Sequence, residues 1–126
     1  MRQALTNFIP PMPEYKQPVN ESLMIKANYQ LVQLKVDDIL FIKALADYVI
    51  IKTTSGKYIT LSTMKDMVDS LPADKFVRTH RSFIVNMEKI HMIKGSSITI
   101  SDNNNIQFTV PIGRVYKKAF KATLNS

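Results

Sequence analysis

F-V-R-T-H-R-S-F-I-V-N, residues 76–86, sets three cationic or ionisable side chains between two short apolar runs. Phe76 and Val77 stand before Arg78, His80 and Arg81, and Phe83, Ile84 and Val85 stand after them. Short runs of Val, Ile and Phe read as β-strands, with the polar residues at the bend between them. Strand alternation places Arg78 and His80 on one side and Thr79 and Arg81 on the other. Two guanidiniums and an imidazole concentrate hydrogen-bond donors at one spot that flanking strands would hold rigid. Such a spot suits a polyanion, and Arg81, nearest the bend, is its leading candidate.

The same β pattern continues in both directions. Leu23–Ala27 and Leu31–Val36 flank a turn at Asn28-Tyr29-Gln30, followed by Ile39–Lys43 and Tyr48–Thr53. Ser55-Gly56 marks a hairpin into Tyr58–Leu61. Beyond the quoted stretch, strands are predicted over Ile90–Ile93, Ile98–Ile100 and Ile106–Val110, with turns at 95–97 and 102–105. Thr63–Leu71 reads as a helix with Met64, Met67, Val68 and Leu71 on one stripe, a Ser62 or Thr63 cap, and Pro72 after its end. A second helix is predicted over Arg114–Leu124. Val115, Ala119 and Ala122 would face the core, with Phe120 beside them and Lys117, Lys118 and Lys121 opposite. The short, evenly spaced strands argue for an antiparallel sandwich or layered sheets rather than a parallel α/β fold. Residues 1–22, interrupted by Pro10, Pro11, Pro13 and Pro18, read as a linker, and residues 23–126 as one domain.

The 126-residue chain is 45% apolar, enough for a core, and carries a formal charge of +7. That charge is uneven. Residues 1–75 hold nine basic and eight acidic side chains, whereas residues 76–126 hold eight basic and two acidic. This asymmetry points to a partner surface, against the plainer reading of a solvated basic face. The absence of cysteine excludes disulfides, thiolate metal sites and thiol nucleophiles, and fits a reducing cytoplasm. No apolar run approaches the roughly 18 residues of a spanning helix, and no signal-peptide pattern opens the chain. With three glycines there is no phosphate-cradling loop, and His80 and His91 lack metal-ligand spacing. No nucleophile–base–acid set can be assembled, so no enzyme, metal or cofactor is expected.

Arg78, His80 and Arg81 can grip phosphates or guanine edges; otherwise they form structural salt bridges. Arg114, Lys117, Lys118 and Lys121 form a second basic set, either a phosphate-binding face or a solvated one. A helix beginning at Gly113 would also present free N–H groups to a phosphate. Asp47-Tyr48 reads either as a loop tip touching a base or ribose, or as a turn former followed by the first residue of a strand. Sequence-specific DNA binding is the leading reading. A basic β-rich module that binds acidic protein partners is the alternative.

The order of several pieces resembles the LytTR-type DNA-binding domain of bacterial response regulators. These are D-D-I-L-F-I-K (37–43), D-Y-V-I-I (47–51), S-T-M-K-D-M (62–67), L-P-A-D-K-F-V-R-T-H-R-S-F-I-V-N (71–86), K-I (89–90) and P-I-G-R-V-Y (111–116). The resemblance spans roughly Met24–Phe120, and its most specific part is the R-x-H-R-S-F-I-V-N core. It implies a mainly β fold of about ten short, mostly antiparallel strands in small layered sheets, with one or two short helices. It implies double-stranded DNA as partner, with loops entering successive major grooves and a homodimer on repeated sites. It also implies a phosphorylatable receiver domain on a longer parent chain, since residues 1–22 are too few to supply one, and a role in cytoplasmic transcription control. By position, the three DNA-contacting regions fall on the loop around Ala46-Asp47-Tyr48, on His80-Arg81-Ser82 and on Gly113-Arg114, the same places the residues themselves suggest. Asp47 departs from members that place a cationic donor in the first loop. A carboxylate there can accept from cytosine N4 but repels phosphate.

Overall fold

The computed structural model describes residues 21–124, so all of the expected linker except Glu21 and Ser22 lies outside the described residues. Ten strands and two short helices follow one another along the described chain. β1 (Ser22–Ala27) and β2 (Gln30–Lys35) form a two-stranded hairpin. β3 (Ile39–Leu45), β4 (Tyr48–Thr53), β5 (Gly56–Leu61), β6 (Phe76–His80) and β7 (Phe83–Asn86) form a five-stranded antiparallel sheet in the order β5-β4-β3-β7-β6. β8 (Ile90–Lys94), β9 (Ser97–Ser101) and β10 (Gln107–Pro111) form a third sheet with β9 central. α1 (Met64–Ser70) links β5 to β6, and α2 (Lys117–Leu124) ends the described chain. The small layered sheets match the expectation from strand spacing.

Layering follows from period-two alternation in the central sheet. Ile42, Val49, Ile51 and Ile84 face one way, into a cluster with Leu23, Ile25 and Leu34 of the hairpin and Met64, Met67 and Leu71 at α1. Val85 faces the other way, with Phe41, Val77 and Phe83 packed beside it. They meet Ile98, Ile100 and Val110 of the third sheet and Phe120 of α2. Each fully buried Ile or Val contributes about 1.5–3 kcal/mol relative to exposure. Thr63 caps α1 by accepting a hydrogen bond from the Asp66 N–H at 3.0 Å.

The α1 stripe is buried at Met64, Met67 and Leu71 but not at Val68, and the stripe of the second helix fails. Val68 is 40% exposed, because the seven residues of α1 bury only Met64 and Met67. The predicted second helix is two pieces: a 3-10 turn over Arg114–Tyr116, then α2. The tighter turn advances the chain by three residues rather than 3.6, so a stripe projected from Arg114 arrives out of phase. Val115 is therefore 87% exposed and Ala119 and Ala122 are exposed, while Phe120 is 1% exposed. The segment does open at Gly113, but as a 3-10 turn, and the Gly113 N–H is not free because it donates to the Thr79 carbonyl at 2.7 Å. The Gly113 carbonyl accepts the Tyr116 N–H at 3.0 Å.

At the start of the described chain, the Glu21 carbonyl accepts from Val36 N–H at 3.2 Å and its carboxylate pairs with Lys75 at 3.0 Å. Asp37 lies in a 3-10 turn before β3 and reaches the same ammonium at 3.4 Å. The hydrogen bond to Glu21 holds the Lys75 ammonium above its ordinary value. Burial opposes that shift, and Asp37 reinforces it. A raised lysine stabilises the fold fully below the unfolded value of 10.5, and the contribution disappears as pH rises through the folded value. Both carboxylates are about two-fifths exposed, so water screens the pairs. Lys75→Met is expected to lower the melting temperature by about 4 °C at neutral pH. In calorimetry across pH, the gap between variant and parent should close above pH 10.5; a gap that persists there would assign the loss to packing.

Candidate nucleic-acid interface

The quoted stretch forms a hairpin whose turn is the two residues Arg81-Ser82, with His80 paired to Phe83. A register shift between Arg78 and His80 inserts Thr79 as an extra residue. Regular alternation therefore ends there. Thr79 is buried in the core, Arg81 sits in the turn, and the expected sharing of one strand side by Thr79 and Arg81 does not apply.

Hydrogen bonds hold the turn's backbone on three sides. Arg78 Nη2 donates to the Arg81 carbonyl at 2.6 Å. His80 Nδ1 accepts from the Ser82 N–H at 3.0 Å, which leaves Nε2 as the donor of a neutral ring. The Ala44 N–H donates to the Ser82 carbonyl at 2.9 Å, tying the turn to β3. Arg81 itself is exposed.

β6 is an edge strand, and its outward Thr79 carbonyl accepts the Gly113 N–H at 2.7 Å. This bond covers the open edge and fixes the second tip against the first. A Cβ at Gly113 would lie 3.3 Å from both the His80 and Tyr116 rings, tighter than most side-chain contacts, so glycine permits the approach. His80, Arg81, Gly113, Arg114, Val115 and Tyr116 consequently line one shallow groove of about 330 Å³. Both arginines predicted to meet the ligand thus border the same recess.

Asp47 and Tyr48 occupy a separate place. Ala46-Asp47 is the two-residue turn between β3 and β4, and Ala46 adopts a φ of 53° that lacks its usual glycine. Both predicted residues line a larger groove of about 680 Å³, with the start of α1 and Arg78 on its walls. Tyr48 is 48% exposed and opens β4, so it is both a strand residue and a surface one. Lys118 is exposed on α2, while Lys117 Nζ lies 3.5 Å from Ser96 Oγ. Lys43 and Lys52 lie over the rings of Phe83 and Phe108, at 5.9 and 5.1 Å from the ring centres. Among the described residues no group of three or more His, Asp or Glu converges in a way that could hold a metal ion.

Residues 29–125 match the family described as the LytTr DNA-binding domain. The chain belongs to that family. Curated relatives of this LytTr domain include the transcriptional regulatory protein NatR of Bacillus subtilis, 34% identical over 101 residues. That match takes in 80% of this chain and 40% of NatR. The sensory transduction protein LytT of Enterococcus faecalis is 29% identical over 112 residues, 86% of this chain and 46% of the relative. The chain thus spans less than half the length of these relatives. Among solved structures, a LytTr DNA-binding domain from Bacillus cereus superposes with a TM-score of 0.68. It covers 83% of this chain and 97% of its own at 22% identity, which establishes the fold.

Two features of the LytTr site escape sequence reasoning. Arg78 folds over the adjoining bend and donates to its carbonyls, beside the inserted Thr79. Tyr116 lies under Arg78, with its ring centre 5.7 Å from the guanidinium carbon. The P-I-G-R-V-Y motif contains that tyrosine, but its partner lies 38 residues upstream.

Proposed function

We propose that this LytTr domain reads double-stranded DNA by sequence through its turn tips, as the effector part of a response regulator that controls transcription. The observation that carries the reading is the shared groove of Arg81 and Arg114, two exposed cations on rigid, hydrogen-bonded turns. Arg81 and Arg114 reach base edges in the major groove. His80 Nε2–H and Ser82 position the duplex, Gly113 lets the second tip sit close beside them, and Lys117 and Lys118 hold phosphates. Asp47 and Tyr48 meet a neighbouring stretch of the duplex, where the carboxylate accepts from cytosine N4.

In this reading the domain runs from residue 23, with a linker before it and a receiver domain elsewhere in a longer parent chain. Two copies bind repeated sites as a homodimer in the cytoplasm. The role is binding without catalysis. Among the described residues no helix is long and apolar enough to cross a membrane.

Selection of duplexes from a random pool, followed by titration against salt, tests the proposal. A recurring site should emerge, and affinity should fall steeply with added salt as cations displace counterions. Repeats within that site would support the homodimer. No enriched duplex together with capture of acidic proteins would replace the reading with the basic interaction module.

A further inference from the structure

We infer that Arg78 is a positioning residue that sets the two arginine tips relative to each other and does not itself touch DNA. The inference rests on the DNA-binding reading above. Arg78 Nη2 donates to the Arg81 carbonyl at 2.6 Å, and its Nε lies 3.4 Å from the His80 carbonyl. Its guanidinium also lies over the Tyr116 ring. One planar side chain therefore touches the turn that presents Arg81 and the turn that presents Arg114.

The arrangement explains features that a phosphate ligand would leave unaccounted for. A guanidinium aimed at DNA would be exposed in the free protein, as Arg81 and Arg114 are, whereas Arg78 is half-buried. Among the described residues it has no carboxylate within ion-pair distance, so its donors meet backbone carbonyls. The Arg81 carbonyl it binds is one of three backbone groups that orient the Arg81-Ser82 turn. Only a rigid fork can hold two carbonyls while its face rests on a ring. Lysine carries the charge without that geometry.

Arg78→Lys is the deciding variant, compared with the parent on a selected duplex and on random duplex over a salt series. We expect binding to random duplex and the salt slope to stay as in the parent, while affinity for the selected duplex falls about tenfold or more. In the free protein, the Arg81 and Ser82 amide resonances should shift, a readout that needs no DNA. Tyr116→Leu, which keeps the charge and removes the ring, should lose specificity in the same way, and it decides the matter if the lysine variant does not fold. Equal loss on both duplexes in these variants, or an Arg78→Gln variant that removes the charge and weakens both duplexes alike with a salt slope reduced by about one, would make Arg78 a phosphate ligand and overturn the inference. Unchanged discrimination would overturn it too. A parent chain that selects no duplex would remove the underlying DNA reading, a result visible before any variant is made.

Discussion

Arg81→Ala is expected to weaken binding to the selected duplex about 10–100-fold, the discrimination one good base contact supplies. Random duplex should lose only the small electrostatic share of one cation. The asymmetry follows from the turn. The Arg81 carbonyl, the Ser82 N–H and the Ser82 carbonyl are each bonded within the protein, so truncating the side chain leaves the backbone in place. Arg114→Ala should behave alike, since Gly113 is held by the Thr79 carbonyl rather than by the arginine. Fluorescence anisotropy on both duplexes measures the effect. Equal losses on the two would move Arg81 from base reading to phosphate holding.

Phe120→Ala should be the most damaging single truncation in the C-terminal part. The ring is 1% exposed and packs with Leu40, Val85, Ile98, Ile100, Val110 and Ile112. Removing a buried phenylalanine costs about 3–5 kcal/mol through lost transfer energy and the cavity left behind. For a domain of this size that lowers the melting temperature by roughly 15–25 °C. Phe120 is also the one buried residue of α2, the helix that carries Lys117 and Lys118. Binding near the melting point should therefore fail with the fold. Val115→Ala provides the control, because an 87% exposed side chain should change stability by no more than about 0.5 kcal/mol. A larger loss at Val115 than at Phe120 in thermal melts would contradict the observed phase of this segment.

Strand positions were legible because each run is short, apolar and bounded by turn residues. Ile39–Lys43 extends only to Leu45, and Phe83–Val85 only to Asn86. The bend at residues 81–82 was legible as well, since polar residues between two short apolar runs mark a turn. Three things were not. The phase of α2 depended on a 3-10 turn that spacing alone does not reveal. The inserted residue beside Arg78 leaves no periodic trace in a five-residue strand. The Lys75–Glu21 pair joins residues 54 positions apart, and only the folded chain brings them together.

The inserted Thr79 has a consequence for how this domain can diversify. It occupies the core, offers its carbonyl to Gly113, and leaves exactly two residues for the hairpin bend. Shortening this strand by one residue would restore a regular ladder and swing the following side chain to the opposite face. Under the proposed reading, new target preferences would come from exchanging residues 81 and 114 and not from changes in chain length. A library of single deletions across 78–82 should yield no binders, whereas substitutions at 81 should yield altered ones; a deletion that still bound its site would disprove this.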